Sequence, residues 1–189
     1  MDPSIKFYLG FLFLLYAERL VELAVSRRNE RRMRAAGGRE LGRRHFPALA
    51  ILHGLFPAAS AAEVVLLDRV FPGVAGWLAL AAALGAQALR WWAVATLGPA
   101  WSVRIMVPAR PRPVTAGPYR YLRHPNYLAV IVEIAAVPLV HGAWITAATA
   151  SLVNAALLRV RIRTEERALG PSYAQAFTGR RRLVPRRPS

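Results

Sequence analysis

Cysteine is absent from the 189 residues, and the four histidines fall at no paired ligand spacing. Disulfides, thiolate catalysis and Cys-ligated metals are therefore excluded, and no metal centre is expected. Acid is scarce as well: ten Asp and Glu stand against 26 Lys and Arg, Lys6 being the sole lysine, for a net charge of +16. No GxGxxG loop opens a βαβ unit, which speaks against a soluble dinucleotide-binding domain. What fills the chain instead is apolar, with 55% hydrophobic residues and a mean hydropathy of +0.28. Such a composition belongs to a membrane protein.

The placement of the arginines says what the charge is for. They are blocked into three clusters, Arg27 to Arg44, Arg104 to Arg123 and Arg159 to Arg187, while the other connections carry little beyond Asp68 and Arg69. Alternation of basic loops with apolar runs is the positive-inside pattern, not the basic stripe of a nucleic-acid module. The expected fold is all-α: one polytopic domain over residues 1–189, with about five spans near 4–25, 46–67, 73–97, 126–140 and 143–158. The last two are short and joined by His141-Gly142, which reads as a helical hairpin. With every Arg-rich segment cytoplasmic, the N-terminus faces out and the C-terminus in. The first run lacks a basic lead-in and is interrupted by Glu18, Arg19 and Glu22, so it reads as a retained span, not a cleaved signal. The bias of Arg over Lys points to a GC-rich bacterium, hence to its inner membrane.

Ionisable residues inside spans are costly and therefore informative. Glu18, Arg19 and Glu22 of the first span, Arg90 of the third, Glu133 of the fourth, and Asn154 and Arg159 of the fifth fall at one depth, toward the cytoplasmic ends. Two readings fit: ion pairs that only hold helices together, or a polar cavity opening to the cytoplasm.

Two short stretches concentrate chemistry. In TAGPYRYLRHPNY, residues 115–127, Pro125 should start a helix with His124 just outside it. The amides of Asn126, Tyr127 and Leu128 are then expected as free donors at a positive helix end, with Arg123 adding a forked donor for a carboxylate. Gly117-Pro118 lets the preceding backbone turn close to a ligand. The competing reading makes Arg120 and Arg123 anchors for lipid phosphate and Tyr119, Tyr121 and Tyr127 an aromatic belt. In RVRIRTEERAL, residues 159–169, Arg161 faces Glu165 and Arg163 faces Glu166 along a helix that continues past the membrane. Surface ion pairing and a carboxylate that accepts from ribose hydroxyls both fit that pattern.

Together GPYRYLRHPNY, the hairpin, RIRTEERAL, YAQAF and RRRLVP resemble the isoprenylcysteine carboxyl methyltransferase family, over roughly residues 90–185. RLVELAVSRRN and RWWAVATLG resemble more particularly the bacterial members that accompany type III polyketide synthases. The resemblance implies a membrane enzyme that uses S-adenosylmethionine to O-methylate a lipophilic acceptor, either a phenolic lipid of alkylresorcinol or alkylpyrone type or an isoprenoid carboxylate. It implies a cofactor held by Gly117, Tyr119, Arg123, His124, Pro125, Tyr127, Glu165 and Glu166, between the hairpin and the C-terminal segment. The chain departs from the family pattern at Ala129, where glycine is usual. Arg123, His124 and Glu133 are the expected catalytic groups, and Glu18, Arg19 and Arg90 the expected acceptor contacts. A phenol needs a base where a carboxylate does not, and His124, Glu133 and Glu18 are the candidates, in that order. The expected partners are membrane lipids, the lipophilic acceptor and, functionally, a polyketide synthase. A phospholipid N-methyltransferase would share the signature, and a non-enzymatic transporter or assembly protein would explain the spans alone.

Overall fold

The computed structural model describes residues 2–109 and 112–183. Arg110 of the second basic cluster, Arg186 and Arg187 of the third, and Val184 and Pro185 of RRRLVP lie outside them. Five α-helices carry the fold. α1 (Pro3–Ala35) starts with Pro at its first turn and with the Asp2 carboxylate accepting from the Ser4 amide at 2.6 Å. It does not stop near residue 25, because the arginines and glutamates that follow are good helix formers; Gly37, at φ 83°, turns the chain. α2 (Phe46–Leu66) contains Pro57, α3 (Val74–Leu97) runs between Gly73 and Gly98, and α4 (Pro125–Leu139) begins on Pro125 as its sequence requires. α5 (Trp144–Ala176) extends far beyond the expected span end at 158 and kinks at Gly170, whose φ of 75° precedes Pro171. Two short strands, β1 (Arg39–Leu41) and β2 (Ile105–Val107), pair antiparallel with Glu40 opposite Met106.

The strand pairing puts the α1–α2 and α3–α4 connections at one end of the bundle. The Arg161 guanidinium donates to the Val103 carbonyl at 2.6 Å, and the His124 amide to the Arg182 carbonyl at 3.1 Å. The described parts of all three arginine clusters therefore meet at that end. At the opposite end the Ser4 hydroxyl lies 3.0 Å from His141 Nε2, and Glu63 of α2 accepts from the Thr146 amide at 2.7 Å and the Ile145 amide at 3.2 Å. Glu63 thus satisfies amide donors of the first turn of α5, which has no side-chain cap of its own. Arg69 completes this contact at 3.0 Å from Glu63.

α4 is the centre of the core, with Val130, Ile134, Val137 and Val140 packed against Tyr8, Leu12, Phe56, Ala83, Ala150 and Leu158 of its four neighbours. Ala129 is fully buried there, so the methyl group that replaces the family's usual glycine is accommodated within the helix packing. Large apolar side chains on the perimeter, among them Phe13, Leu14, Leu66, Leu78 and Leu152, remain exposed, as lipid-facing residues do. α2, the segment Val74–Ala100 and α5 are long and apolar enough to cross a membrane; α4, with 15 residues, reaches about 22 Å at 1.5 Å per residue, short of a bilayer core of roughly 30 Å. This shortness was expected of the hairpin.

The sidedness is directly testable because the chain has no cysteine of its own. Single cysteines replacing Arg44 and Arg120, both exposed at the arginine-rich end, should respond alike to an impermeant maleimide in intact cells, and a cysteine replacing Val70 should respond oppositely. Equal labelling at all three would contradict the arrangement of the helices.

Candidate active site

Pro125 has no N–H to lose at a helix start, and His124 takes the non-helical cap position before it. The amides of Tyr127 and Leu128 are not free, however. Both donate to the His124 carbonyl, at 3.1 and 3.2 Å, so the expected triple-amide anion site is not formed. The same turn instead offers side chains. The Tyr127 hydroxyl donates to Glu165 and accepts from Arg161 Nε at 2.8 Å, while His124 Nε2–H donates to Glu166 at 3.1 Å. Glu166 also binds Arg182, at 2.9 and 2.5 Å. The two signature stretches, 38 and 42 residues apart at these bonds, are thereby fastened to one another. This replaces the expected surface pairs: Arg161 is turned inward to Tyr127, and Arg163 is exposed.

Beside this junction is a cleft of about 1010 Å³, partly open to solvent, lined by Arg123, His124, Asn126, Tyr127, Glu165 and Tyr173. Its far wall is the α3–α4 connection, from Trp101 to Val114, whereas residues 180–182 pass behind Arg123 and His124. Arg123 is held by its Nε donating to the Arg180 carbonyl at 2.7 Å. Burial raises the Tyr119 and Tyr173 phenols above their ordinary value, so both stay neutral donors. Asn126 Oδ1 is buried and has no partner among the described residues.

A second cavity, about 1150 Å³ and mostly apolar, opens among the helices and is lined by Leu20, Leu49, Ala50, Val130 and Leu158 together with Arg19, Glu22 and Arg90. Trp101, Asn126, Tyr127 and Arg161 line both spaces and form the wall between them. Beside the second cavity the intramembrane charges converge. Glu133, fully buried, accepts from Arg90 and, at 2.8 Å, from Arg19, which also binds Glu22. Arg19 Nε, Arg90 Nε and Glu22 Oε1 are buried without a hydrogen-bond partner among the described residues.

The expected residues divide accordingly. Tyr119, Arg123, His124, Tyr127 and Glu165 line the cleft, and Arg19 and Arg90 the apolar cavity. Glu166 and Pro125 act from behind. Gly117, at φ 54°, makes its close approach to the Thr96 side chain, where a Cβ would come within 2.3 Å, and not to an open space. Glu18 is occupied by Gln87 and by Trp91 Nε1 at 2.6 Å, and Glu133 lines neither space. Arg159 is exposed and does not join the charge cluster; Tyr119 and Tyr127 are buried and form no belt. Trp101, Arg161 and Tyr173, and the side chain of Asn126, were missed as site groups. Asn126, Arg161 and Tyr173 stand inside the quoted stretches, but Trp101 comes from an aperiodic linker that gives no pattern to read.

Residues 77–171 match the model of the isoprenylcysteine carboxyl methyltransferase family. A protein of Bacillus subtilis (strain 168) described as uncharacterized protein YpbQ is 40% identical over 157 residues, which make up 82% of this chain and 92% of that one. An uncharacterized protein of Haemophilus influenzae is 29% identical over 163 residues, 86% of this chain and 94% of its own.

Hydrogen bonding from His124, against an upward push from burial, and then Arg182 hold the Glu166 carboxyl at about 2. A carboxyl depressed in the folded state contributes stability above its unfolded value near 4.3, and that contribution is lost as pH falls toward the folded value. Thermal unfolding in detergent should therefore show the parent losing more stability than Glu166→Gln between about pH 4.5 and 2, by a modest amount since the pair is partly exposed to water. Parallel curves for the two proteins would detach Glu166 from the junction.

Proposed function

The chain belongs to the isoprenylcysteine carboxyl methyltransferase family and is a membrane methyltransferase, and from that premise we propose that it uses S-adenosylmethionine to O-methylate a long-chain neutral hydroxyl lipid. The acceptor class is a phenolic lipid of alkylresorcinol or alkylpyrone type, and the functional link to a polyketide synthase belongs to the same reading. The observation that carries it is the pair of cavities, one of mixed lining and the more polar of the two at the arginine-rich end, the other mostly apolar among the helices, with a single wall between them.

The polar cleft fits the cofactor. Arg123 supplies a forked donor for its carboxylate, Glu165 an acceptor for its amine or ribose hydroxyls, and Tyr119 and Tyr173 flat surface for its base. The unpartnered Asn126 Oδ1 is an acceptor left over for a donor the protein lacks. S-adenosylmethionine supplies a methyl group already activated on a sulfonium, so the protein's task is positioning. Tyr127, fixed by Glu165 and Arg161, sets the wall across which the acceptor oxygen must reach. Glu133 is spent on Arg19 and Arg90 and serves by holding their guanidinium groups at the wall of the apolar cavity, where they meet the acceptor's oxygen. The acceptor enters sideways from lipid and the cofactor from the cytoplasm. The arginine-rich end is cytoplasmic in this reading, five helices cross or enter a bacterial inner membrane, and the N-terminus faces out.

Purified protein in liposomes, given radiolabelled S-adenosylmethionine, should methylate a long-chain alkylresorcinol at a rate that rises with pH. A carboxylate acceptor would show little dependence above about pH 5, being ionised already. S-adenosylhomocysteine should bind Arg123→Ala and Glu165→Ala at least about tenfold more weakly by calorimetry, a loss of roughly 1.4 kcal/mol or more. Methyl ester formation on a prenylated cysteine with none on the resorcinol would overturn the phenolic acceptor, labelled phospholipid would favour N-methylation, and parent-like affinity in both variants would displace the cofactor site.

A further inference from the structure

One titratable side chain on the wall of the apolar cavity has no part in the scheme above. His53 of α2 lines that cavity, and its ring meets Phe56 edge-on with centroids 6.3 Å apart. Neither ring nitrogen enters a hydrogen bond or ion pair among the described residues. Every other titratable group on the wall is engaged. Tyr16 donates to the Gly54 carbonyl, Arg19 and Glu22 pair with each other, Arg90 binds Glu133, and Tyr127 and Arg161 are locked to one another. The three bases weighed from sequence are also engaged, His124 with Glu166, Glu133 with two guanidinium groups, and Glu18 with Gln87 and Trp91. A general base must offer a free lone pair within reach of the proton it takes. The second Glu22 oxygen is buried against Arg90 Nε at 3.7 Å, so among the described residues only the His53 imidazole offers an accessible lone pair to the space the acceptor would fill.

We propose that His53 is the general base of the methyl transfer, a catalytic residue that removes the proton of the acceptor hydroxyl; the proposal rests on the hydroxyl-acceptor reading above. The step balances as follows. The oxygen's electron pair forms the new O–CH3 bond, the C–S bond breaks with its pair remaining on sulfur, and the proton passes to an imidazole nitrogen. The imidazolium returns it to water after the ether product leaves. The charged groups that share the cavity wall with His53 come from three helices, Arg19 and Glu22 from α1, Arg90 from α3 and Arg161 from α5, and Glu133 of α4 stands behind Arg19 and Arg90. The arginines can hold the developing oxyanion while the histidine takes its proton, which divides one task between two kinds of side chain. Local backbone supports the placement. Pro57 has no N–H to give the His53 carbonyl, so the helical ladder opens at the turn that carries the ring. His53 also precedes residues 77–171, so it belongs to the part of the chain that the family match does not cover.

The test compares two acceptors in the parent and in His53→Gln: a long-chain alkylresorcinol, and its nitro-substituted analogue, whose phenol is ionised at neutral pH without help. His53→Gln should bind S-adenosylhomocysteine like the parent. Its kcat on the alkylresorcinol should fall about 100-fold with KM little changed, and its rate should lose the rise with pH. The nitro analogue should lose far less, because it has no proton to give up. An equal loss on both acceptors, or a parent-like kcat on the alkylresorcinol, would overturn the proposal and leave the acceptor class standing. If the parent methylates neither phenol but esterifies a prenylated cysteine, the acceptor class fails and the base falls with it. Loss of S-adenosylhomocysteine binding in both His53→Gln and His53→Asn would assign His53 to the scaffold and likewise overturn it.

Discussion

Glu133 carries a charge at the centre of a bundle of apolar helices, and almost everything around it answers that fact. An ionised carboxylate with no solvent exposure is tolerable only if it is paired and hydrogen-bonded. Arg19 from α1 and Arg90 from α3 meet that demand, which ties three helices at one depth. Removing one member of such a network typically costs about 3–5 kcal/mol, because its partner is left as a buried unpaired charge. Well-packed apolar residues of similar volume would hold the same helices at comparable stability. What they would not provide is a set of guanidinium groups lining an apolar cavity among the helices.

The second constraint is the junction at Tyr127. Its hydroxyl is both donor and acceptor, and the structure uses both capacities, one toward Glu165 and one toward Arg161. Because α5 runs from Trp144 without a break until Gly170, those two residues arrive on a rigid rod and not on a loop. The rod meets the start of α4, and a wall results whose position depends on a buried hydrogen-bond network. Two molecules of opposite polarity can approach that wall from opposite sides only if neither solvent leaks through it. Trp101 and Arg161 fill it from the linker and from α5.

What was legible in the sequence followed local rules. Pro125 fixed a helix start, the apolar runs marked helices, the Arg clusters marked one end, and intramembrane charges at similar depth did converge. What was not legible depended on choices among partners. The i,i+4 spacing of Arg161 and Glu165 invites a surface pair, yet Tyr127, remote in sequence, draws both inward because burial rewards a satisfied network over an exposed ion pair. The amides after His124 looked free because sequence does not say where a carbonyl points; the cap residue's own carbonyl takes two of them. The end of α1 was misplaced by the habit of ending a span where charge begins, although arginine and glutamate prolong a helix in water as well as any residue but alanine. Trp101 and the other linker residues lacked any periodicity that could have placed them on the wall.

The two cavities draw on different parts of the chain, and this bears on how such a protein can change its substrate. The polar cleft is built from residues 97–173, which fall almost entirely within the family match at 77–171. The apolar cavity takes Tyr16, Arg19, Leu20, Glu22 and Leu23 from α1 and Leu49, Ala50 and His53 from α2, all before it, and adds Arg90, Val103, Val130, Leu158 and the wall residues from within it. A cofactor common to many reactions asks for fixed geometry, whereas an acceptor asks for a shape and one or two polar groups at the right depth. Substitutions in α1 and α2 can therefore reshape the apolar cavity without touching the hydrogen bonds that join His124 and Tyr127 to Glu166 and Glu165. The wall residues are the only described ones that line both sides, and Tyr127 is the one among them on which the others lean, since its loss would leave Glu165 without its hydrogen-bond partner and Arg161 with the Val103 carbonyl alone.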